Sequence, residues 1–199
     1  MNAYLLIFII LISSIIFSII DLFDIRNGDN YLVDFYPKSL DRNNKKKILW
    51  YFSQITYQVQ ILLCVYFGLR LFTGHNYDIF YKIIAPISLL VSIIFFGLLY
   101  PKTGIHKMVY SNIISHGFNS LVILLELSVI KSYKFKEIFY CLSATIPSLF
   151  ILIYNYNIRK IWTYNLLNIQ NINGRKIISK SIILVLVLSS ILKLVHNYL

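Results

Sequence analysis

The sequence is poor in charge and in cysteine. Only 14% of its 199 residues are charged, against 58% that are apolar and 16% that are aromatic. The apolar residues come in long runs, which excludes an ordinary soluble domain. Its two cysteines, Cys64 and Cys141, both lie inside apolar runs, so they define no disulfide framework.

Motifs that hold nucleotides or metals are also lacking. The chain has no Walker loop, no GxGxxG and no GxSxG elbow. It has no HxxxH or HxxH cluster, so the histidine ligands of a di-iron desaturase or hydroxylase are missing. We therefore expect no cofactor and no metal.

What the chain does contain is room for several membrane spans. A spanning helix needs roughly 20 mostly apolar residues to cross a hydrocarbon core about 30 Å thick. We predict an all-α, polytopic bundle forming one transmembrane domain over residues 1–199. Its spans are expected near residues 3–20, 48–72, 78–100, 110–130, 137–157 and 177–195. The first run lacks the features of a secretory signal, so we expect it to remain as a helix.

The positive charge of the chain favours a membrane surface over nucleic acid. The formal net charge is +11, but the Lys and Arg residues sit in short loops and form no contiguous basic domain. About 13 of the 19 lie in the loops after spans one, three and five. The positive-inside rule places these loops on the cytoplasmic side. We expect the membrane to be that of the endoplasmic reticulum or the plasma membrane.

Polar side chains concentrate on the second and fourth predicted spans, where an ionised group would cost about 2.5 to 3.5 kcal/mol at the bilayer centre. Their spacing at steps of three, four and seven places each set on one helix face. The second span carries Ser53, Thr56, Tyr57, Gln60 and Cys64, and the fourth carries Asn112, His116, Asn119 and Glu126.

Ser53 and His116 are predicted to meet. Both spans enter from the same membrane face, and each residue lies about five or six positions inside, which is roughly 8 to 9 Å deep. A hydroxyl beside an imidazole is the minimal nucleophile and base arrangement. Asn112 or Asn119 could orient the imidazole or donate to an oxyanion.

Two other interpretations stay open. Ser, Thr, Asn and Gln often join membrane helices by hydrogen bonds without any catalytic role, and this reading suits the second span best. Glu126 lies about 15 Å along the helix from His116, too far to orient it directly. We expect Glu126 to be protonated or to line the inner end of a ligand cavity.

These residues resemble motifs of the androgen-induced protein family. The segment from Phe52 to Gln60 is similar to the family pattern F-T-x-W-x-x-x-x-Q, with Ser53 at the threonine. Three further motifs follow in order: a YP pair, an N-x-x-x-H followed by an acid, and a W-x-Y-P-x-L signature. They fall on Tyr100 and Pro101, on Asn112, His116 and Glu126, and on Trp162, Thr163, Tyr164 and Leu167.

The resemblance implies a six-span membrane hydrolase of fatty acid esters of hydroxy fatty acids. Ser53 would stand for the family's nucleophilic threonine, and His116 for its catalytic histidine. The residues that would then bind or orient the substrate are Gln60, Asn112, Asn119, Glu126 and Trp162. The chain departs from the pattern at Ile55, where the family often has tryptophan, and at Asn165, where it has proline.

Two hypotheses follow for function. The first is an intramembrane hydrolase of lipid esters, whose partners are membrane lipids and which uses Ser53 as nucleophile and His116 as base. The alternative is a non-enzymatic multipass protein, either a lipid-binding scaffold or a small transporter, in which the same side chains line a cavity.

Overall fold

The computed structural model describes residues 2–23, 44–99, 113–131, 133–160, 162–163 and 168–198. These ranges are almost entirely helical and contain no β-strand, which confirms the predicted all-α bundle. Outside the described residues lie 24–43, between the first two predicted spans, and also the YP pair at 100–101, Asn112, Tyr164 and Leu167.

Seven α-helices follow one another in these ranges. They are α1 (Ala3–Phe23), α2 (Asn44–Ser53), α3 (Ile55–Thr73), α4 (Asp78–Ile94), α5 (Asn119–Glu126), α6 (Leu142–Arg159) and α7 (Ile172–Tyr198). A π-helical segment, Phe95–Leu99, extends α4, and another, Ile114–Phe118, leads into α5. Short 3-10 segments follow α5 at Leu127–Val129 and precede α6 at Phe135–Cys141.

Five helical stretches are long and apolar enough to cross a bilayer, which confirms the membrane character of the chain. They are Ala3–Ile20, Ile55–Thr73, Asp78–Gly97, Phe135–Arg159 and Ile172–Tyr198. The fourth predicted span corresponds to a shorter apolar helix, Ile114–Val129. Large apolar side chains cover the outside of the bundle, as lipid contact requires; Phe72, Phe135 and Phe150 are each more than 60% exposed.

The second predicted span, 48–72, is divided at Gln54. Gln54 has an extended backbone (φ −81°, ψ 121°), so α2 ends at Ser53 and α3 begins at Ile55. The break has local partners, because Ser53 Oγ donates to the Trp50 carbonyl and Gln58 Nε2 donates to the Phe52 carbonyl. Ser53 therefore belongs to a helix that precedes the spanning one and does not continue the helix face of Gln60.

Helix α4 lies at the centre of the bundle. About 61% of the Asp78–Gly97 stretch is buried, against 17% of the Ala3–Ile20 stretch at the periphery. It contacts α3, α5 and α7, and its buried residues Tyr81, Ile84 and Ala85 join the main apolar core. Pro86 lies inside this helix and Pro147 lies inside α6, where neighbouring helices can satisfy the freed carbonyls.

A buried ion pair ties α3 to α5. Arg70 near the end of α3 and Glu126 at the end of α5 are 7% and 4% exposed, and the guanidinium donates to the carboxylate. Tyr66 Oη donates to Glu126 Oε1 at 2.8 Å, and Arg70 Nη2 donates to Tyr4 Oη at 2.6 Å. Because Tyr4 begins α1, one network joins α1, α3 and α5 at the same end of the bundle.

A second buried ion pair lies at that end. Lys82 of α4 is 1% exposed, and its Nζ donates to Glu137 Oε2 at 2.9 Å. The Lys134 backbone N–H donates to the same carboxylate oxygen at 2.6 Å, and the Lys82 ammonium lies 5.3 Å from the Tyr133 ring centroid. Tyr133 and Ser189 hydroxyls hydrogen bond at 2.7 Å, which connects this pair to α7.

The Arg70–Glu126 pair yields a test of the fold. Arg70→Met leaves a buried carboxylate without its cation and should lower the free energy of unfolding in micelles by about 3–5 kcal/mol. Glu126→Leu should cost a similar amount, whereas the double variant should be more stable than either single one. Arg175→Met, at an exposed position of α7, is the matched control and should change stability by at most about 0.5 kcal/mol. Losses that simply add in the double variant would contradict the pairing.

Candidate functional site

Ser53 is fully buried and lies in a chain of hydrogen bonds. Its hydroxyl donates to the Trp50 carbonyl at 2.7 Å and also contacts the Thr163 hydroxyl at 2.5 Å. Because the single Ser53 proton is directed to Trp50, the Thr163 hydroxyl is the donor in the second contact. Arg159 Nη1 in turn donates to Thr163 Oγ1 at 3.4 Å.

Arg159 brings a buried positive charge to the same place. It is the last residue of α6 and is 5% exposed. Its Nη1 also donates to Asn155 Oδ1, one turn earlier, at 2.7 Å. Asn155 Nδ2 donates to the Leu49 carbonyl, so these side chains fasten the end of α6 to α2.

Trp162 directly precedes Thr163 and so lies beside these hydrogen bonds. The sequence predicted that it would bind or orient a substrate. It is 6% exposed, and its ring stacks on Tyr156 with centroids 4.3 Å apart. Its indole Nε1 is buried, and no described residue accepts its hydrogen bond. We call Ser53, Arg159, Trp162 and Thr163 the hydroxyl–arginine site.

His116 has a different set of contacts. It occupies the π-helical segment before α5, is 7% exposed, and stacks on Phe95 of the other π segment at 3.8 Å between ring centroids. Its backbone carbonyl accepts from Ser92 Oγ, which holds it against α4. No hydrogen bond joins His116 to Ser53, both of which are described, and no described residue bonds its Nδ1. The two predicted catalytic side chains thus have different partners in this structure.

Two local features depart from the regular helices that the depth argument assumed. Gln54 interrupts the helix that was expected to start at residue 48, so Ser53 ends α2 and does not stand on α3. The widened π-helical turn at Ile114–Phe118 changes the direction of the side chains within it. π-helical turns are frequently found at functional sites.

The second and fourth predicted spans do meet through polar side chains, at Gln60 and Ser115. Ser115 Oγ donates to Gln60 Oε1 at 2.9 Å, and Asn119 Nδ2 donates to the Ser115 carbonyl at 3.0 Å. Gln60 and Asn119 are both fully buried. Gln60 Nε2 and Asn119 Oδ1 have no partner among the described residues. Ser115 therefore joins Gln60 of α3 to the short apolar helix that carries Asn119.

Glu126 has a partner that the sequence analysis did not name. The expectations were a protonated acid or the end of a ligand cavity, and the structure pairs it with Arg70. Four charged interior groups were missed because each stands near the end of a predicted span. They are Arg70, Lys82, Glu137 and Arg159. A signal was present: Arg70 and Lys82 both fall inside the predicted ranges 48–72 and 78–100.

In the part of the chain that the structure describes, no three His, Cys, Asp or Glu side chains lie close enough together to hold a metal ion. Comparison with protein-family models finds no matching family, and comparisons with curated proteins and with solved structures find no match either. The resemblance to the androgen-induced protein family therefore stays a prediction.

The contact between Gln60 and Ser115 can be tested by a double-mutant cycle. Gln60→Leu and Ser115→Ala should each destabilise the bundle, with a coupling energy of about 0.6 kcal/mol and at most about 1.7 kcal/mol. The measurement is unfolding in micelles. Gln58→Leu lies on the same helix but bonds the Phe52 carbonyl, so its combination with Ser115→Ala should be additive. Additive effects for Gln60 as well would contradict the contact.

Proposed function

We propose that this chain binds a membrane lipid at the hydroxyl–arginine site, through a carboxylate or an ester group. One observation carries the proposal: the Arg159 guanidinium, the Ser53 hydroxyl and an indole N–H without an acceptor among the described residues are buried at one end of the spanning helices, next to the half-buried Thr163. The guanidinium and the indole N–H are hydrogen-bond donors, whereas the Ser53 and Thr163 hydroxyl protons are directed to protein oxygens. The complement of the guanidinium and the indole is a group rich in acceptor oxygens, and a carboxylate suits the planar guanidinium best.

The position of the site favours a lipid as the ligand. Ser53 and Arg159 lie at the ends of α2 and α6, next to the spans Ile55–Thr73 and Phe135–Arg159. The polar head of a lipid lies at this level of the membrane, with its chains beside the apolar helix surfaces. Trp162 and Tyr156 add the stacked aromatic rings that are common at membrane interfaces.

Photolabelling with a diazirine-bearing fatty acid tests this binding. The wild-type protein in mixed micelles should be labelled in competition with oleate. Arg159→Gln should weaken the apparent affinity by about tenfold or more, because a hydrogen bond to a charged group contributes roughly 1.5–3 kcal/mol. Trp162→Phe keeps the stacked ring and loses the N–H, so a smaller loss of roughly fivefold is expected, from about 1 kcal/mol. The matched control Arg175→Gln should bind as the wild type does. Equal affinity in Arg159→Gln would refute binding at this site.

Hydrolysis of a lipid ester is a second candidate function. It is supported by the resemblance at Ser53 and by the Nδ1 atom of His116, to which no described residue donates a hydrogen bond. Ser53 Oγ would attack the ester carbonyl while His116 takes its proton, and His116 would then protonate the departing alkoxide. Water would release the acid from Ser53 in the second half of the reaction. The reaction requires the Ser53 hydroxyl to leave the Trp50 carbonyl and turn to His116.

A fluorophosphonate probe, together with fatty acid release from a hydroxy fatty acid ester, tests the hydrolase. Both signals should disappear in Ser53→Ala, and release should disappear in His116→Ala, while Ser53→Thr retains activity. Ser143→Ala removes an exposed hydroxyl from α6 and should have no effect. Unchanged release in Ser53→Ala and His116→Ala would eliminate this reaction and leave lipid binding without turnover.

A further inference from the structure

The π-helical turn that leads into α5 uses a side chain where an α-helix would use a backbone N–H. The Asn119 backbone N–H donates to the Ile114 carbonyl, five residues earlier, as in a π-helix. In an α-helix the same N–H would donate to the Ser115 carbonyl, four residues earlier. That carbonyl accepts instead from Asn119 Nδ2, at 3.0 Å. Asn119 therefore satisfies Ser115 with its side chain, because its backbone N–H is directed to Ile114.

The neighbouring helix α4 supports the same turn. Ser92 Oγ donates to the His116 carbonyl, and Ser92 is 8% exposed. The His116 ring stacks on Phe95, with the two ring planes 2° apart. In an α-helical turn, backbone N–H groups would reach the carbonyls that the Asn119 and Ser92 side chains satisfy now. The π-helical and α-helical forms of the turn thus satisfy the same carbonyls with different donors.

The π-helical form leaves two complementary interior groups without partners among the described residues. Gln60 Nε2 is buried and has no acceptor there, and His116 Nδ1 is buried and has no donor there. An amide N–H donates, and Nδ1 accepts in the imidazole tautomer that carries its proton on Nε2. Gln60 Oε1 accepts from Ser115, the residue next to His116. A shift of one residue in the turn would bring the missing donor and the missing acceptor together.

We propose that the turn Ile114–Phe118 is a two-state switch, whose α-helical form brings His116 to the place that Ser115 occupies now. The N–H of the first residue of α5 bonds the fifth residue before it in one form and the fourth in the other. Each position along the turn is then taken by the next residue in the chain. The residues before α5 rotate by up to about 100°, the angle between consecutive residues of an α-helix. The imidazole leaves the Phe95 ring and faces α3, where Nδ1 accepts from Gln60 Nε2.

The two forms differ little in the number of their hydrogen bonds. The α-helical form loses the Ser115–Gln60 contact and the stacking on Phe95. It gains a hydrogen bond between Gln60 and His116, two buried groups that otherwise lack partners, and this gain offsets the losses. The switch needs no ligand and no reaction, so it is separate from both candidate functions. It decides whether the imidazole lies against Phe95 or points into the polar interior.

Nitrogen-15 NMR of the histidine rings tests the switch in the full-length protein in lipid nanodiscs. The His116 signals are assigned by their loss in His116→Gln. The α-helical form should give a second His116 Nδ1 signal, shifted because the nitrogen accepts a hydrogen bond. This second signal should correlate with a glutamine side-chain amide, and the correlation should disappear in Gln60→Leu.

Two variants on different helices shift the balance. Asn119→Leu and Ser92→Ala each remove a hydrogen bond that only the π-helical form makes. Each should raise the ratio of the second signal to the first by about threefold, which corresponds to about 0.6 kcal/mol. Ser128→Ala is the matched control, because its hydroxyl donates to the Leu125 carbonyl outside the turn, and it should leave the ratio unchanged.

Two results would overturn the proposal. One is the absence of a second His116 signal, or an unchanged ratio, in both Asn119→Leu and Ser92→Ala. The other is a second His116 signal that shows no correlation with Gln60. Ser92→Ala alone decides where Asn119→Leu does not fold, because the loss of one hydroxyl leaves no large cavity.

Discussion

Arg70 and Glu126 bury opposite charges inside an apolar bundle, and the helices that carry them cannot separate without exposing both charges to hydrocarbon. The cost of an unpaired charge there is several kcal/mol, so the pair fixes how α3 and α5 sit against each other. Tyr4 extends the same network to α1, of whose Ala3–Ile20 stretch only 17% is buried. The Lys82–Glu137 pair does the same for α4 and the segment before α6.

This framework divides the polar interior into layers with different chemistry. The two ion pairs lie at one end of the spans, and the Gln60, Ser115 and Asn119 contacts lie nearer the middle. At the opposite end, hydrogen bonds join Ser53, Thr163 and Arg159. The Trp162 indole N–H beside them has no acceptor among the described residues, and the proposed lipid would supply one.

Much of the fold could be predicted from the sequence because the length of apolar runs depends only on the thickness of the bilayer. The concentration of polar residues on the second and fourth predicted spans likewise singled out Gln60 and Asn119, which are both fully buried. Periodicity could not supply the cation for Glu126, since Arg70 is 56 positions away and only helix packing joins them. It also could not foresee the break at Gln54, which local hydrogen bonds accompany, or the π-helical turn at His116, whose carbonyl accepts from Ser92 of α4. These two irregularities are why Ser53 and His116, placed at one depth by counting residues, have separate partners.

A high-resolution structure of the protein in lipid nanodiscs containing a fatty acid tests both the ion pair and the lipid site. We expect Arg70 paired with Glu126 inside the bilayer, and lipid density at hydrogen-bonding distance from the Arg159 guanidinium and the Trp162 indole nitrogen. A site around Arg159 filled by protein side chains alone, with no lipid head group, would contradict the proposed lipid site.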